Sequence, residues 1–463
     1  MRVVFCTTCK GRVQHLEKTL PRNIADNADY ADCKFVVLDY CDPGPLRAYL
    51  WKHHQADMRS GRLVVYSYFG DQSADSPDIL SNRVVPVDVS FHMAHAKNLA
   101  ARCALLEGAD ILVTMDADNF ARPGFARYIA DNIEVGTCIC PDFPLIHSMP
   151  HGPDRPARGY AGRLALRAQD FIKAGGYDEI YDTWRGEDMD LLFRLKRMGY
   201  RHKHFDIRFL DAVRHDAAVR FKEYPHAQEY EYNEYIEVIA ARTERVVNNG
   251  RIGAGLVHRN FSPNAMMLPA IPARVFGIGL HRTATTSLHR AFEALGFDSF
   301  HFNTGNDARQ IWEHMNATGS SPLLERWYAL SDLPIPLLYE KLDRAYPGSK
   351  FVLTVRDEQS WLRSVERLWS YRDNPMRWTW DVYPFSNNIH RALYGCVDFD
   401  AAVFLARYRR HNAEVRAYFK DRPDDLLVMD MDAGAGWCEL CPFLKVPVPE
   451  VPYPRESHTK KVS

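Results

Sequence analysis

No stretch of this chain approaches the ~18 to 20 uninterrupted apolar residues that would cross a bilayer as a helix. An excess of one charge sign is also absent: Lys and Arg number 58 against 59 Asp and Glu in 463 residues. A near-neutral sum leaves no electrostatic footprint for nucleic acid or an anionic membrane. Cysteine is sparse, ten in all, which argues for reduced thiols and against a disulfide framework. The two Cys-x-x-Cys spacings, Cys6/Cys9 and Cys438/Cys441, have no His-rich or Cys-rich surroundings and read as buried small hydrophobes rather than zinc ligands. The opening Met1-Arg2-Val3-Val4-Phe5-Cys6-Thr7-Thr8 is too short for a secretory signal. It reads as a first core strand, and the expected compartment is the cytoplasm.

At roughly 150 residues per domain the chain has room for two or three compact units. Short apolar runs alternate with helical patterns. Val3 to Phe5 leads to a helix through Val13, Leu16 and Leu20; then come Lys34-Phe35-Val36-Val37-Leu38-Asp39 and Asp110-Ile111-Leu112-Val113-Thr114-Met115-Asp116. This alternation predicts a wound α/β sheet, in which ligands bind beyond the carboxyl ends of the strands. A strand over Phe205 to Leu210 and a long polar helix over Tyr224 to Val247 are expected to close this unit. The proline-punctuated stretch 262–273 reads as a linker, so the expected domains are 1–261 and 274–463. The second opens with Arg274-Val275-Phe276-Gly277-Ile278-Gly279, a strand running straight into a loop and a helix.

In the first unit, Asp116-Ala117-Asp118 ends an apolar strand, and two carboxylates spaced by two project to one side of extended backbone, where they can hold a divalent cation. A bare Asp-x-Asp is more often a solvated turn, so its context matters. Asp39 ends another strand, where a ribose or base edge can be read. Downstream lie Gly175-Gly176-Tyr177-Asp178 and Gly186-Glu187-Asp188-Met189-Asp190-Leu191. Acids in a first helical turn are ordinary dipole partners, but an acid pair after Gly186 also suits one carboxylate gripping a sugar hydroxyl while the other removes its proton. The order strand, Asp-x-Asp, Gly-Gly-Tyr-Asp, then Glu-Asp opening a helix resembles the GT-A glycosyltransferases related to the β-1,4-galactosyltransferases and polysaccharide synthases. That resemblance implies a mixed-sheet GT-A fold, a UDP-sugar donor, Mn2+ or Mg2+, and a carbohydrate acceptor. It further implies Asp188 as general base, Glu187 as acceptor contact, Lys97 and Asn98 as donor contacts, and His215 as a third metal ligand beside Asp116 and Asp118. The loop Gly152 to Gly162 is a candidate lid.

In the second unit, Gly277-Ile278-Gly279-Leu280-His281-Arg282-Thr283-Ala284-Thr285-Thr286-Ser287-Leu288 joins a strand to a helix. Such a junction aims backbone amides and hydroxyls at an anion, and His281, Thr283, Thr285, Thr286 and Ser287 are expected to line it. The Lys-Ser/Thr pair of an ATP-binding loop is missing, which weakens a nucleotide-kinase reading. The loop resembles the 5′-phosphosulfate loop of sulfotransferases that use 3′-phosphoadenosine 5′-phosphosulfate, with Arg282 as its cation. The likeness continues through Ser331-Asp332-Leu333-Pro334, Phe351-Val352-Leu353-Thr354-Val355-Arg356-Asp357 and Trp361-Leu362-Arg363-Ser364. It implies a three-layer α/β/α P-loop-like fold, a 3′-phosphate held by Arg356 and Ser364, and Asp332 as candidate base; helix capping is the alternative use of Asp332. Ala284 stands where the family's loop usually has Gly, and a positive φ there strains an alanine. The expected function is therefore bifunctional: metal-dependent sugar transfer in the first domain and sulfation of a carbohydrate hydroxyl in the second. A glycosyltransferase with a silent second domain is the main alternative.

Overall fold

In the computed structural model, the apolar run near the start sits at the middle of a nine-stranded sheet. Residues 1–70, 91–149, 162–181, 186–213, 239–242, 247–248, 252–268, 271–302, 306–370, 384–446 and 448–455 are described. They fall into two units, Met1–Ala270 and Ile271–Ser463.

In the first unit β1 (Val3–Cys9) lies in parallel between β2 (Cys33–Tyr40) and β4 (Ile111–Asp116), with Val3 opposite both Cys33 and Ile111. Covered on both faces, these strands are apolar almost throughout rather than alternating. Beyond β2 comes β3 (Leu63–Tyr68), also parallel. Beyond β4 come β7 (Leu164–Arg167) and then β6 (Thr137–Cys140), each antiparallel to its predecessor, and β8 (Arg201–His204), parallel to β6. The sheet is thus mixed. Phe5 stacks on Phe35 with ring centroids 4.9 Å apart and, with Phe125, Phe205 and Phe209, fills the core on one face. A short ribbon, β5 (Asn119–Phe120) against β9 (Asp211–Ala212), stands apart from the large sheet.

Four expectations need correction or fall outside the described residues. The expected strand over Phe205 to Leu210 is instead a 3-10 turn, Ile207–Phe209, because the Asp206 side chain accepts from the Arg208 amide at 3.0 Å and closes it. The stretch read as a linker contributes β11 (Ala265–Leu268), which pairs antiparallel with β10 (Gly255–Arg259), itself antiparallel to β3. Proline punctuation marks only the ends of that stretch; Ala265 to Leu268 retain every backbone donor. The helix expected over Tyr224 to Val247 lies mostly outside the described residues, as does most of the 152–162 loop.

The second unit is a five-stranded, all-parallel sheet in the order β13 (Ser299–His301), β14 (Ala329–Ser331), β12 (Val275–Gly277), β15 (Lys350–Val355), β16 (Leu426–Asp430). Helices cross between its strands, as parallel pairing requires. Trp361, Phe404 and Tyr408 lead a buried aromatic cluster. All ten cysteines are free; Cys438 is exposed, against expectation, while Cys6, Cys9 and Cys441 are buried. Among the described residues no helix is long and apolar enough to cross a membrane.

Glu107 ties the first sheet together. Its carboxylate accepts from Arg259 Nε at 2.8 Å, Tyr66 OH at 2.9 Å and Lys34 Nζ at 3.1 Å, joining β10, β3 and β2 at the end of the helix Met93–Leu106. Burial works against its charge, but these three donors win and hold its pKa down to about 2 from the ordinary 4.5. A depressed carboxylate pKa stabilises the fold above the unfolded value, and that stability is lost as pH falls from 4.5 through about 2. At 1.36 kcal/mol per pH unit the depression amounts to about 3 kcal/mol. Glu107→Gln should therefore lower stability at pH 7 by about that amount and flatten the acid limb of unfolding between pH 4.5 and 2, measured by urea denaturation across that range.

Candidate functional site

The first unit gathers an acidic rim beyond β4. Lys97, on the helix Met93–Leu106, donates to Glu187 Oε1 at 2.9 Å and Asp188 Oδ1 at 2.7 Å, and its ammonium lies 5.2 Å from the centre of the Tyr177 ring. Glu187 and Asp188 open the helix Glu187–Arg197, whose buried Leu191, Leu192 and Leu195 set its inner face. Glu187 is only 3% exposed and is enclosed, whereas Asp188 keeps 19% of its side chain open to solvent. Desolvation pushes the Asp188 pKa up to about 8, with Lys97 opposing and the neighbouring Glu187 and Asp116 adding to the rise. Asp116 is likewise raised to about 6, by burial first and then by Asp118 and Glu187, against Lys97 and Arg163. Burial lowers the Lys97 pKa, but the three surrounding acids hold it above its ordinary value.

A rim so rich in carboxylate fits a divalent cation. Asp118 adds to the cost of ionising Asp116, and a hard cation beside two such oxygen donors would offset it. Space at Asp116 is tight: a Cβ on Gly162 would meet its two carboxylate oxygens at 2.9 and 3.1 Å. Asp118 accepts from Asn119 Nδ2 at 2.7 Å, and its backbone carbonyl takes the Val213 amide at 2.7 Å. His215, two residues beyond Val213, lies outside the described residues, and among those described no three His, Cys, Asp or Glu side chains form a metal cluster. Sequence reasoning missed Arg163, buried beside the pair, which donates to the carbonyls of Phe209 and Asp211 and whose own pKa is lowered to about 10 by burial.

Two expected donor contacts are occupied internally. Asn98 donates to Tyr177 O at 2.7 Å and Glu179 Oε1 at 2.8 Å and accepts from the Tyr177 amide at 2.8 Å, so it clamps the Gly175–Glu179 loop. Asp39, fully buried, accepts from Arg47 at 2.9 Å and from the Asp42 amide at 2.8 Å.

In the second unit the loop after β12 ends at the helix Thr285–Ala294. Gly279 is obligatory, since a Cβ there would fall 2.0 Å from Thr354 Oγ1. Arg282 Nε donates to Ser364 Oγ at 3.0 Å, and Arg356 reaches the Arg282 carbonyl at 3.4 Å, Ser360 Oγ at 2.6 Å and Asp432 Oδ1 at 3.2 Å. The three residues expected to hold phosphate therefore meet at one point. Tyr408 steadies it, accepting from the Arg356 amide and donating to the Arg356 carbonyl, both at 2.9 Å. Thr285 and Thr286 begin the helix, with Ser287 buried one residue on. The Thr283 hydroxyl is turned inward, donating to Leu280 O at 2.6 Å and paired with Thr354 at 2.7 Å.

His281 is a core residue rather than a ligand contact. It is 6% exposed, its Nε2 pairs with Tyr394 OH at 2.7 Å, and its ring packs on Trp361 and Trp369. Burial drives its pKa down to about 4, so it is neutral. Asp332 does not cap the following helix, Ile335–Ala345, whose N-cap position is Pro334. Its side chain instead accepts from the Leu333 amide at 2.9 Å and faces His301 at 3.2 Å, a partner that no sequence motif announced.

The first unit thus carries an acidic rim at its strand ends, and the second a pair of arginines joined through the Arg282 carbonyl. Residues 144–218 match the family model described as the N-terminal domain of galactosyltransferase, and residues 274–462, nearly all of the second unit, match the sulfotransferase domain model. The chain thus joins a galactosyltransferase-family segment to a sulfotransferase domain, in that order, and is a transferase. A curated relative, Ava biosynthesis cluster protein M of Aspergillus versicolor, is 27% identical over 211 residues, 39% of this chain and 79% of that protein. Among solved structures, a mannosyltransferase from Pyrobaculum calidifontis in complex with GDP-Man and Mn2+ is 16% identical over 52% of this chain and 69% of its own, with a TM-score of 0.33. Drosophila β-1,4-galactosyltransferase 7 in complex with manganese, UDP-Gal and xylobiose is 12% identical over 53% of this chain and 83% of its own, also at 0.33.

Ala284 occupies the left-handed region at φ 67°, ψ 33°. Ala284→Gly should relieve it and raise stability by up to about 1 kcal/mol, less the entropy cost of glycine; a lower urea midpoint would show that the loop requires the methyl group.

Proposed function

We propose that the chain is a bifunctional glycan-modifying enzyme. In this reading the first unit transfers a sugar from a UDP-sugar to a carbohydrate acceptor, and the second sulfates a carbohydrate hydroxyl from 3′-phosphoadenosine 5′-phosphosulfate. Convergence of Asp188 and Asp116 about Lys97 supports the first activity. Asp188, the more open of the helix acids, takes the proton of the attacking acceptor hydroxyl, and its raised pKa suits a base working near neutrality. Glu187, enclosed, keeps Lys97 directed at Asp188. Asp116 and Asp118, with His215, would hold Mn2+ or Mg2+, which would neutralise the diphosphate leaving group. Arg163 offsets the negative charge of the rim when the metal is away.

The meeting of Arg282, Arg356 and Ser364 supports the second activity. Arg356 and Ser364 bind the 3′-phosphate, while Arg282, the loop amides and the hydroxyls of Thr285, Thr286 and Ser287 bind the 5′-phosphosulfate. Sulfuryl transfer then needs in-line positioning and cationic stabilisation of the leaving phosphate. Both donors are cytosolic metabolites, which suits a cytoplasmic enzyme. A second reading, a glycosyltransferase whose second unit only binds acceptor or aids assembly, is favoured by the strained Ala284 in the cradle.

Two substitutions separate the sites. Asp118→Ala should abolish sugar transfer and leave sulfation untouched; Arg356→Ala should weaken stabilisation by 3′-phosphoadenosine 5′-phosphate at least tenfold in Kd, about 1.4 kcal/mol, and leave sugar transfer intact. Assays of sugar and sulfate transfer read the activities, and thermal melting of the full chain with UDP-sugars plus manganese, with the phosphoadenosine nucleotide and with ATP reads binding. Sugar transfer retained in Asp118→Ala would refute the metal clamp, silence towards the phosphoadenosine nucleotide would favour the single-activity reading, and protection by ATP alone would favour a kinase.

A further inference from the structure

The mouth of the phosphate loop holds a pair rather than a lone acid. His301 ends β13 and stands in register with Ser331, the last residue of β14, so Asp332 emerges beside it. His301 Nε2 lies 3.2 Å from Asp332 Oδ2, 3.3 Å from Thr285 Oγ1 and 3.4 Å from Thr286 Oγ1, the hydroxyls that open the loop's helix. The second carboxylate oxygen is already fixed by the Leu333 amide. Asp332 also sits at φ 66°, a conformation that a non-glycine residue keeps only where its surroundings enforce it. Both side chains are partly open, His301 by 20% and Asp332 by 13%, so a substrate can reach them. Behind His301 the His289 ring packs at 5.4 Å, itself anchored to Ser299 Oγ at 2.8 Å, which leaves the His301 ring little freedom to turn.

We propose that His301 is the positioning residue for sulfuryl transfer: its Nε2–H donates to Asp332 Oδ2 and holds that carboxylate at the anion cradle, where Asp332 removes the acceptor's proton. This rests on the sulfotransferase reading of the second unit. As the acceptor oxygen bonds to sulfur, the bond from sulfur to the 5′-phosphate oxygen breaks. Its electron pair leaves on 3′-phosphoadenosine 5′-phosphate, and the acceptor's proton passes to Asp332 and afterwards to water. Nε2 is engaged with the carboxylate, so the imidazole orients the base instead of acting as one.

The full-length chain is assayed with 35S-labelled phosphosulfate donor and a pool of disaccharides, counting label in saccharide together with free sulfate; melting with 3′-phosphoadenosine 5′-phosphate is followed in parallel. His301→Phe and Asp332→Asn should each lower kcat about 100-fold, and the double variant should fall no further. The donor KM and the nucleotide-induced stabilisation should stay within about twofold. His301→Gln, which keeps an N–H at the place of Nε2, should recover to within about tenfold of the parent. Should Phe at 301 unfold the unit, His301→Asn, whose shorter amide falls short of Asp332, takes its place. A His301 variant with the parental kcat, or one that changes KM alone, overturns the proposal, because the imidazole would then be dispensable or a donor contact. A parent chain that the nucleotide stabilises but that transfers no label overturns it together with the active reading of this unit. A parent chain that the nucleotide fails to stabilise defeats the sulfotransferase reading itself.

Discussion

The acidic rim of the first unit depends on one ammonium. Lys97 and Glu187 are buried, and Asp116 and Asp188 are partly so. Carboxylates this close in a poorly solvated place cannot all ionise without a cation among them. Lys97 provides it, and the aromatic face of Tyr177 supports it from one side. Tyr177 is held in turn by Asn98 and by a loop whose glycines have structural work. Gly175 and Gly176 take φ of 77° and 65°, and a Cβ on Gly176 would lie 2.5 Å from Asn98 Oδ1. Arg194 closes the assembly from the other side, donating to the carbonyls of Ala174 and Gly176 and to Asp190. Gly175-Gly176-Tyr177-Asp178 is therefore a backbone device: it brings an aromatic face under the lysine that organises the acids.

The second unit solves the opposite problem. Arg282 and Arg356 stand close together, which is unfavourable unless an anion or fixed dipoles intervene. The protein supplies part of that compensation itself, through Asp432, the Ser360 and Ser364 hydroxyls and the Arg282 carbonyl. None of these is as strong as a bidentate phosphate contact would be. Tyr408, stacked on Trp361 at 4.3 Å, grips the backbone at Arg356 and ties the cradle to the aromatic core behind it. The buried, neutral His281 belongs to that core; an imidazolium there would add a third cation to a region already short of negative charge.

What could be read from the sequence was whatever lies within one run of residues. The strand ending in Asp116, the helix opened by Glu187 and Asp188, and the loop from Gly277 into Thr285 are local patterns, and the structure forms each of them. Arg356 and Ser364 were singled out by the resemblance to sulfotransferases, and the structure brings both to Arg282. The rest was hidden in contacts between distant segments. Arg163 reaches Phe209 and Asp211, more than forty residues on, and His301 meets Asp332 only because β13 and β14 are neighbours in the sheet. Nor could sequence alone show the internal partners of Asp39 and Asn98, which are Arg47 and the Asp42 amide for one and the Tyr177 loop for the other. Strand β11 escaped notice because its four residues pair with β10 regardless of the prolines around them.

The two sites also show how one architectural rule yields opposite chemistries. In both units the polar residues cluster beyond the carboxyl ends of parallel strands, β1, β2 and β4 in one and β12, β14 and β15 in the other. What differs is the sign of the side chains placed there. Acids at the first rim leave a deficit of positive charge that a divalent ion and a diphosphate can share, since the ion bridges two anionic partners that would otherwise repel. Arginines at the second rim suit an anion without a bridging ion, and the helix N-terminus at Thr285 adds its amides to the same end. The two arrangements are not interchangeable: an anion brought to the acidic rim would face uncompensated repulsion, and a metal ion brought to the second rim would meet two arginines. The charge signs at the strand ends, more than the folds that carry them, distinguish the two sites along one chain.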